Sequence, residues 1–173
     1  MIKKILYFFF SFIFFSNNAL ALCLTDKVDF GDSFSTVVKK LNVPGIHKPL
    51  LGFEEGKELS VPGVLLCDEE AFERMPVTFV FIEDQLVEIK GLKIGIKKLD
   101  LLDWLEKEFG SVEKEIKDLN TTAPAAEFYW DKTLLDIFYG MRRSNNETYQ
   151  FMIVTHKRYA QLFNKHREEE EKK

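Results

Sequence analysis

Histidine and cysteine are nearly missing from this chain, with three and two residues respectively in 173. Two cysteines, Cys23 and Cys67, cannot make a four-ligand structural zinc site, and no histidine pair stands at ligand spacing beside either. His47, His156 and His166 have no cysteine or serine partner in a recognisable nucleophile motif. No metalloprotease helix, phosphate-cradling glycine loop or calcium loop occurs. The expectation is therefore no catalytic residues, no metal and no cofactor. Glu69, Glu70 and Glu73 are the nearest thing to paired carboxylates, and acids at a loop edge are normally solvated. An excess of positive charge is missing too. The formal net charge of −4 argues against nucleic acid or an anionic membrane surface as partner.

Long apolar runs are also scarce, and the one present sits at the start. Lys3 and Lys4 precede the run Ile5 to Phe15, and Ala19-Leu20-Ala21 offers small residues at −3 and −1 of a cleavage site. That run is too short for a bilayer, which needs about 20 apolar residues. Residues 1–21 read as a cleaved secretory signal of bacterial character, leaving no transmembrane helix in the mature chain. Cys23 lies close enough to raise lipid attachment, but Leu22 stands where a lipoprotein signal wants a small residue. Losing two lysines takes the mature charge from −4 to −6. In an oxidising compartment Cys23 and Cys67 form either a disulfide or two unpaired thiols. Asn120-Thr121-Thr122 and Asn146-Glu147-Thr148 match the glycosylation pattern and are read as turns in a bacterial chain.

The mature chain reads as one α+β domain over 22–167 with a charged tail at 168–173. Phe34, Val37, Val38 and Leu41 make one stripe at helical period, with Asp32 or Ser33 as N-cap and Asn42-Val43-Pro44 as stop. A proline-rich stretch follows, with a short strand expected over Val61 to Cys67 and a helical turn or two from Asp68 to Arg74. Val77 to Ile82 is a strand, Glu83-Asp84-Gln85 a turn, and Leu86 to Ile94 the return. Val87 and Ile89 alternate there with Glu88 and Lys90, which predicts one wet face. Asp100 is the expected N-cap of a second helix closed by Gly110, with Leu99 and Trp104 as its hydrophobic staple. Strands are expected at Ala126 to Trp130, Thr133 to Met141 and Thr148 to Thr155. A last helix runs from His156 to about Arg167, with Tyr159, Leu162 and Phe163 on one side.

The two halves echo each other. A shift of 68 lays Asp32, Phe34, Val37 and Leu41 on Asp100, Leu102, Leu105 and Phe109, and a shift of 48 lays Phe81 and Leu86 on Tyr129 and Leu134. Half-repeats of about 29–95 and 97–155 would each hold a helix and a hairpin. The first carries about 20 extra residues around Cys67. The predicted fold is an antiparallel sheet with helices packed on one face, two tandem α-β-β(-β) units and a C-terminal helix.

The run from Phe30-Gly31-Asp32-Ser33-Phe34 through Leu41-Asn42-Val43-Pro44 resembles the first helix of small exported bacterial proteins of the SmpA/BamE type, with Asn42 in place of their glycine. The doubled helix-plus-sheet order is similar to the β-lactamase-inhibitor-protein fold. The resemblance implies a non-catalytic protein that works by protein contact. Phe128, Trp130 and Phe138 crowd one hairpin and are the candidate binding face, unless the last helix and the long loop bury both sides. The expected function is binding of an envelope or secreted protein by an exported bacterial protein. The alternative is a small secreted hydrolase or ligand-binding protein with an unrecognised site.

Overall fold

Regular structure runs from Cys23 to Glu170 in a computed structural model that describes residues 23–53, 55–95, 99–112, 114–116, 125–144 and 147–170. The expected signal sequence, Asn120 and Asn146 lie outside the described residues. A four-residue helix, α1 (Cys23–Asp26), leads into α2 (Phe34–Leu41). The Ser33 hydroxyl caps α2 by accepting from the Thr36 N–H at 3.2 Å, and Asn42 ends it at φ 51°. Strands β1 (Lys48–Pro49), β2 (Lys57–Pro62), β3 (Pro76–Ile82) and β4 (Gln85–Ile94) complete the first half. Then come α3 (Asp100–Phe109), β5 (Lys114–Ile116), β6 (Ala125–Asp131), β7 (Leu135–Ser144), β8 (Glu147–His156) and α4 (Lys157–Glu170).

The eight strands among the described residues join one antiparallel sheet in the order β1-β2-β3-β4-β8-β7-β6-β5. The order is a mirror: each half is a helix followed by a four-strand meander, and the halves meet where β4 pairs with β8. The α+β architecture is as expected, and the helix offset agrees with it. The hairpin offset of 48 does not. It equates β3 with β6, whereas the mirror mate of β3 is β7. The hairpins close at Ile82↔Gln85 and at Ser144↔Glu147, which lie 62 apart at both residues. Any even shift preserves alternation, so strands match well at a wrong offset.

Of three local expectations, the helical turn within Asp68 to Arg74 is met and the other two are corrected. The strand set at Val61 to Cys67 is β2, because Pro62-Gly63 starts a 3-10 turn (Gly63–Leu65) that carries the chain out of the sheet. Asp68 to Arg74 holds a single 3-10 turn, Glu70–Phe72. Asp100 is the first residue of α3, not its cap; the cap position is Leu99, which has no polar side chain, and Asp100 Oδ1 accepts from the Leu101 N–H at 3.0 Å from within the first turn.

The β3–β4 turn places Glu83 and Asp84 at φ 51° and 58°, the doubly left-handed turn that suits the twist of a hairpin. A bulge follows, since Val80 opposes Glu88 while Phe81 opposes Leu86. The bulge breaks the predicted alternation. Ile89 enters the main core, and Val87 turns to the opposite face with Val80 and Ile82.

Helices α1, α2 and α3 and both 3-10 turns cover one face and close a core that includes Val37, Phe79, Leu105, Trp130 and Tyr139. They do not hold all the helices, as one-face packing would require. Tyr159, Leu162 and Phe163 of α4 pack with Leu50 and Phe53 over Val80, Ile82 and Val87 on the second face. Their spacing on one side of α4 was legible in the sequence. The face they would cover was not.

Cys23 and Cys67 are joined as a disulfide across a separation of 44 residues, with Cys67 buried. The bond fastens α1, whose Leu24 is fully buried, to the loop after β2. Reduction should lower unfolding free energy by about 2–4 kcal/mol, chiefly by loosening the unfolded chain. Urea melts with and without reductant would read this, and coincident midpoints would contradict it.

Candidate functional site

Alternation along β6, β7 and β8 decides which side chains meet the helices and which do not. Trp130 is fully buried on the helix face, and its Nε1 donates to the Gly110 carbonyl at 2.9 Å, tying β6 to the end of α3. Phe128 has the same parity and stacks on the buried Tyr139 ring at 6.0 Å. Phe138 points the other way, against Phe151 at 5.7 Å. The three residues expected to form one binding face are therefore divided. Trp130 is core, Phe128 rests on the core, and only Phe138 lies on the face opposite α2 and α3.

That second face is half covered. Beyond the reach of α4 it carries Leu92, Ile94, Phe138, Tyr149, Phe151 and Ile153, contiguous through the registers Leu92↔Phe151, Ile94↔Tyr149 and Phe138↔Ile153. Leu92 is 42% exposed and Ile94 50%, high values for apolar residues of a central strand. The end of the Phe151 ring lies over Gly140, where a Cβ would collide with it, so glycine allows the aromatic surface to form. The signal for this patch was present in Leu92-Lys93-Ile94. There the apolar residues face out and the lysine in.

Polar groups border the patch. On one side Lys90 bridges Glu88 at 3.1 Å and Glu58 at 3.5 Å. On another the Tyr129 hydroxyl donates to Asp136, and Lys157 pairs with Asp131. At the third, Glu127 and Arg142 share the face, and among the described residues neither side chain makes an ion pair or hydrogen bond.

Beneath the sheet a buried polar chain locks the halves together. Lys93, 1% exposed, donates from Nζ to Asp100 Oδ2 and to the carbonyls of Glu70 (2.8 Å) and Ala71 (3.0 Å). Gln150 Nε2 donates to Asp100 Oδ1 at 3.3 Å, and the Tyr139 hydroxyl donates to Gln150 Oε1 at 3.0 Å. Burial, reinforced by the charges of Asp100 and Asp103, raises the Tyr139 pKa well above the usual phenol value. The tyrosine stays a neutral donor.

Among the described residues, His47, His156 and Glu69 stand in separate surroundings. His47 sits edge-on to Phe34 at 5.1 Å, beside an open cleft of about 630 Å³ that also meets Glu83 and Asp84. His156 lies between Phe30 and Tyr159, and burial, aided by the Arg158 charge, lowers its pKa. Glu69 pairs with Lys107 at 3.2 Å in the open. Among the described residues no group of three His, Cys, Asp or Glu is placed to hold a metal ion, and no helix is long and apolar enough to cross a membrane. No protein-family model, curated protein or solved structure matches this chain.

Proposed function

We propose that this chain is an exported, non-catalytic bacterial protein that acts by protein contact through the uncovered half of its sheet, in the cell envelope or outside the cell. The observation that carries the reading is the apolar group Leu92, Ile94, Phe138 and Phe151, left accessible on a face whose other half is capped by α4. Aromatic and aliphatic side chains held rigidly on a sheet, with polar groups around them, have the anatomy of a protein interface: a dry centre within a wet rim. Export is supported by the signal-like first 21 residues and by a disulfide that an oxidising compartment would preserve. The binding residues are no longer those of the aromatic hairpin as a whole. Leu92, Ile94 and Phe151 join Phe138, and Trp130 leaves.

A photo-crosslinking residue placed at Leu92 in the exporting host should yield a discrete protein adduct. The same probe at Leu51, which is 93% exposed in a loop, should not. No adduct at Leu92, or equal adducts at both positions, would sink the reading.

A further inference from the structure

The rim of the uncovered face carries one free cation and one free anion side by side. Glu127 on β6 lies opposite Gly140 of β7, and Arg142 lies two residues further along β7. They share a face yet make no bond to each other or to any other side chain among the described residues. A patch that holds both signs next to an apolar centre is its own complement under two-fold symmetry.

Resting on the reading of this face as a protein-contact surface, we propose that its occupant is a second copy of this chain, facing the first sheet to sheet. The two-fold axis lies between the sheets, parallel to them, and passes midway between Glu127 and Arg142. Each Arg142 then meets the Glu127 of the other copy, giving two reciprocal ion pairs. With strands about 4.8 Å apart and two-residue steps of about 6.8 Å, the same axis sets the rest of the contact. Phe151 comes within roughly 3 Å laterally of the Phe151 of the second copy. Leu92 comes to lie over Ile153 of the other copy, and Phe138 over Ile94. One operator thus satisfies the free charges and the apolar residues together. A heterologous partner would have to supply a base and an acid at matching positions. A second copy supplies both by symmetry.

The polar limits of the face agree with this boundary. The Lys90–Glu88–Glu58 group is already internally paired and sits where the contact would end, and α4 occupies the face beyond it. Packing of two such faces would follow sandwich geometry, with layers about 10 Å apart at the patch.

The test is the mass in solution of the chain freed of its signal, followed from low micromolar concentrations up to about 1 mM. The expected result is a reversible dimer. Leu92→Glu should leave a monomer, and Arg142→Glu or Glu127→Arg alone should weaken the dimer about tenfold or more. The double exchange R142E/E127R should restore it, since the reciprocal pairs re-form with reversed sign. Circular dichroism melts confirm that each variant is folded, and these positions are exposed or half-buried. A single-chain mass throughout, a dimer indifferent to Leu92→Glu, or a charge exchange that fails to rescue would each overturn the proposal. The crosslink at Leu92 separates the two failures. A monomer whose Leu92 adduct is a different protein overturns only the second copy. A monomer with no adduct overturns the reading of the face as well.

Discussion

Trp130→Ala is expected to lose about 3–5 kcal/mol of unfolding free energy, as large-to-small changes at a buried tryptophan do. Trp130 has no exposed surface, and its indole N–H is bonded to the Gly110 carbonyl, where α3 ends. Alanine there opens a cavity between β6, β7 and α3 and orphans a carbonyl at the same time. Domains of this size are stable by about 5–15 kcal/mol, so the variant should melt far below the wild type or fail to accumulate. Phe138→Ala on the other face should cost much less, because Phe138 is only partly buried. Urea midpoints of the two variants decide the matter. A Trp130→Ala midpoint equal to wild type would place Trp130 back among surface binding residues, the role its hairpin suggested in the sequence.

The second large effect concerns Asp100. Asp100→Ala should cost about 3–5 kcal/mol, because it strands the Lys93 ammonium in the interior. Lys93 is 1% exposed, and without Asp100 it keeps, among the described residues, the Glu70 and Ala71 carbonyls. Two carbonyls do not replace a carboxylate for a desolvated cation. Replacing both members, K93M/D100N, removes the charges together and leaves an acceptor for Gln150 Nε2. It should therefore be clearly more stable than Asp100→Ala alone. If the single and double variants melt together, the pair does not act as a unit. The ion pair spans the junction of the mirrored halves, since Lys93 is in β4, Asp100 opens α3 and Gln150 is in β8.

Local chemistry was legible wherever a residue acts through its immediate neighbours. Ser33 and Asn42 bound α2 as their capping preferences require, Glu83-Asp84 makes the tight turn, and Tyr159, Leu162 and Phe163 form one apolar side of α4. The pairing of Cys23 with Cys67 was an open alternative that the packing of α1 against the loop after β2 resolves. The failures share a different cause. Asp100 looked like a cap because nothing near it in sequence announces Lys93. Val87 and Ile89 looked like one face because a bulge leaves no local signature. Phe128, Trp130 and Phe138 looked like one patch because a hairpin rich in aromatics does not declare which side the helices take.

Neighbouring side chains were enough to read α2, α3, α4 and the longer strands in order, both ends of α2, the apolar stripes and the lack of a recognisable catalytic motif, whereas the short elements α1, β1 and β5 left no local signal. Contacts distant in sequence set the mirrored strand order, the passage of α4 to the second face and the burial of Lys93 on the first, against α3. The physical reason is alternation. A strand offers its two faces with equal right, and what covers each is set by elements distant in sequence, so the exposed patch at Leu92, Ile94 and Phe151 exists only once the halves have met.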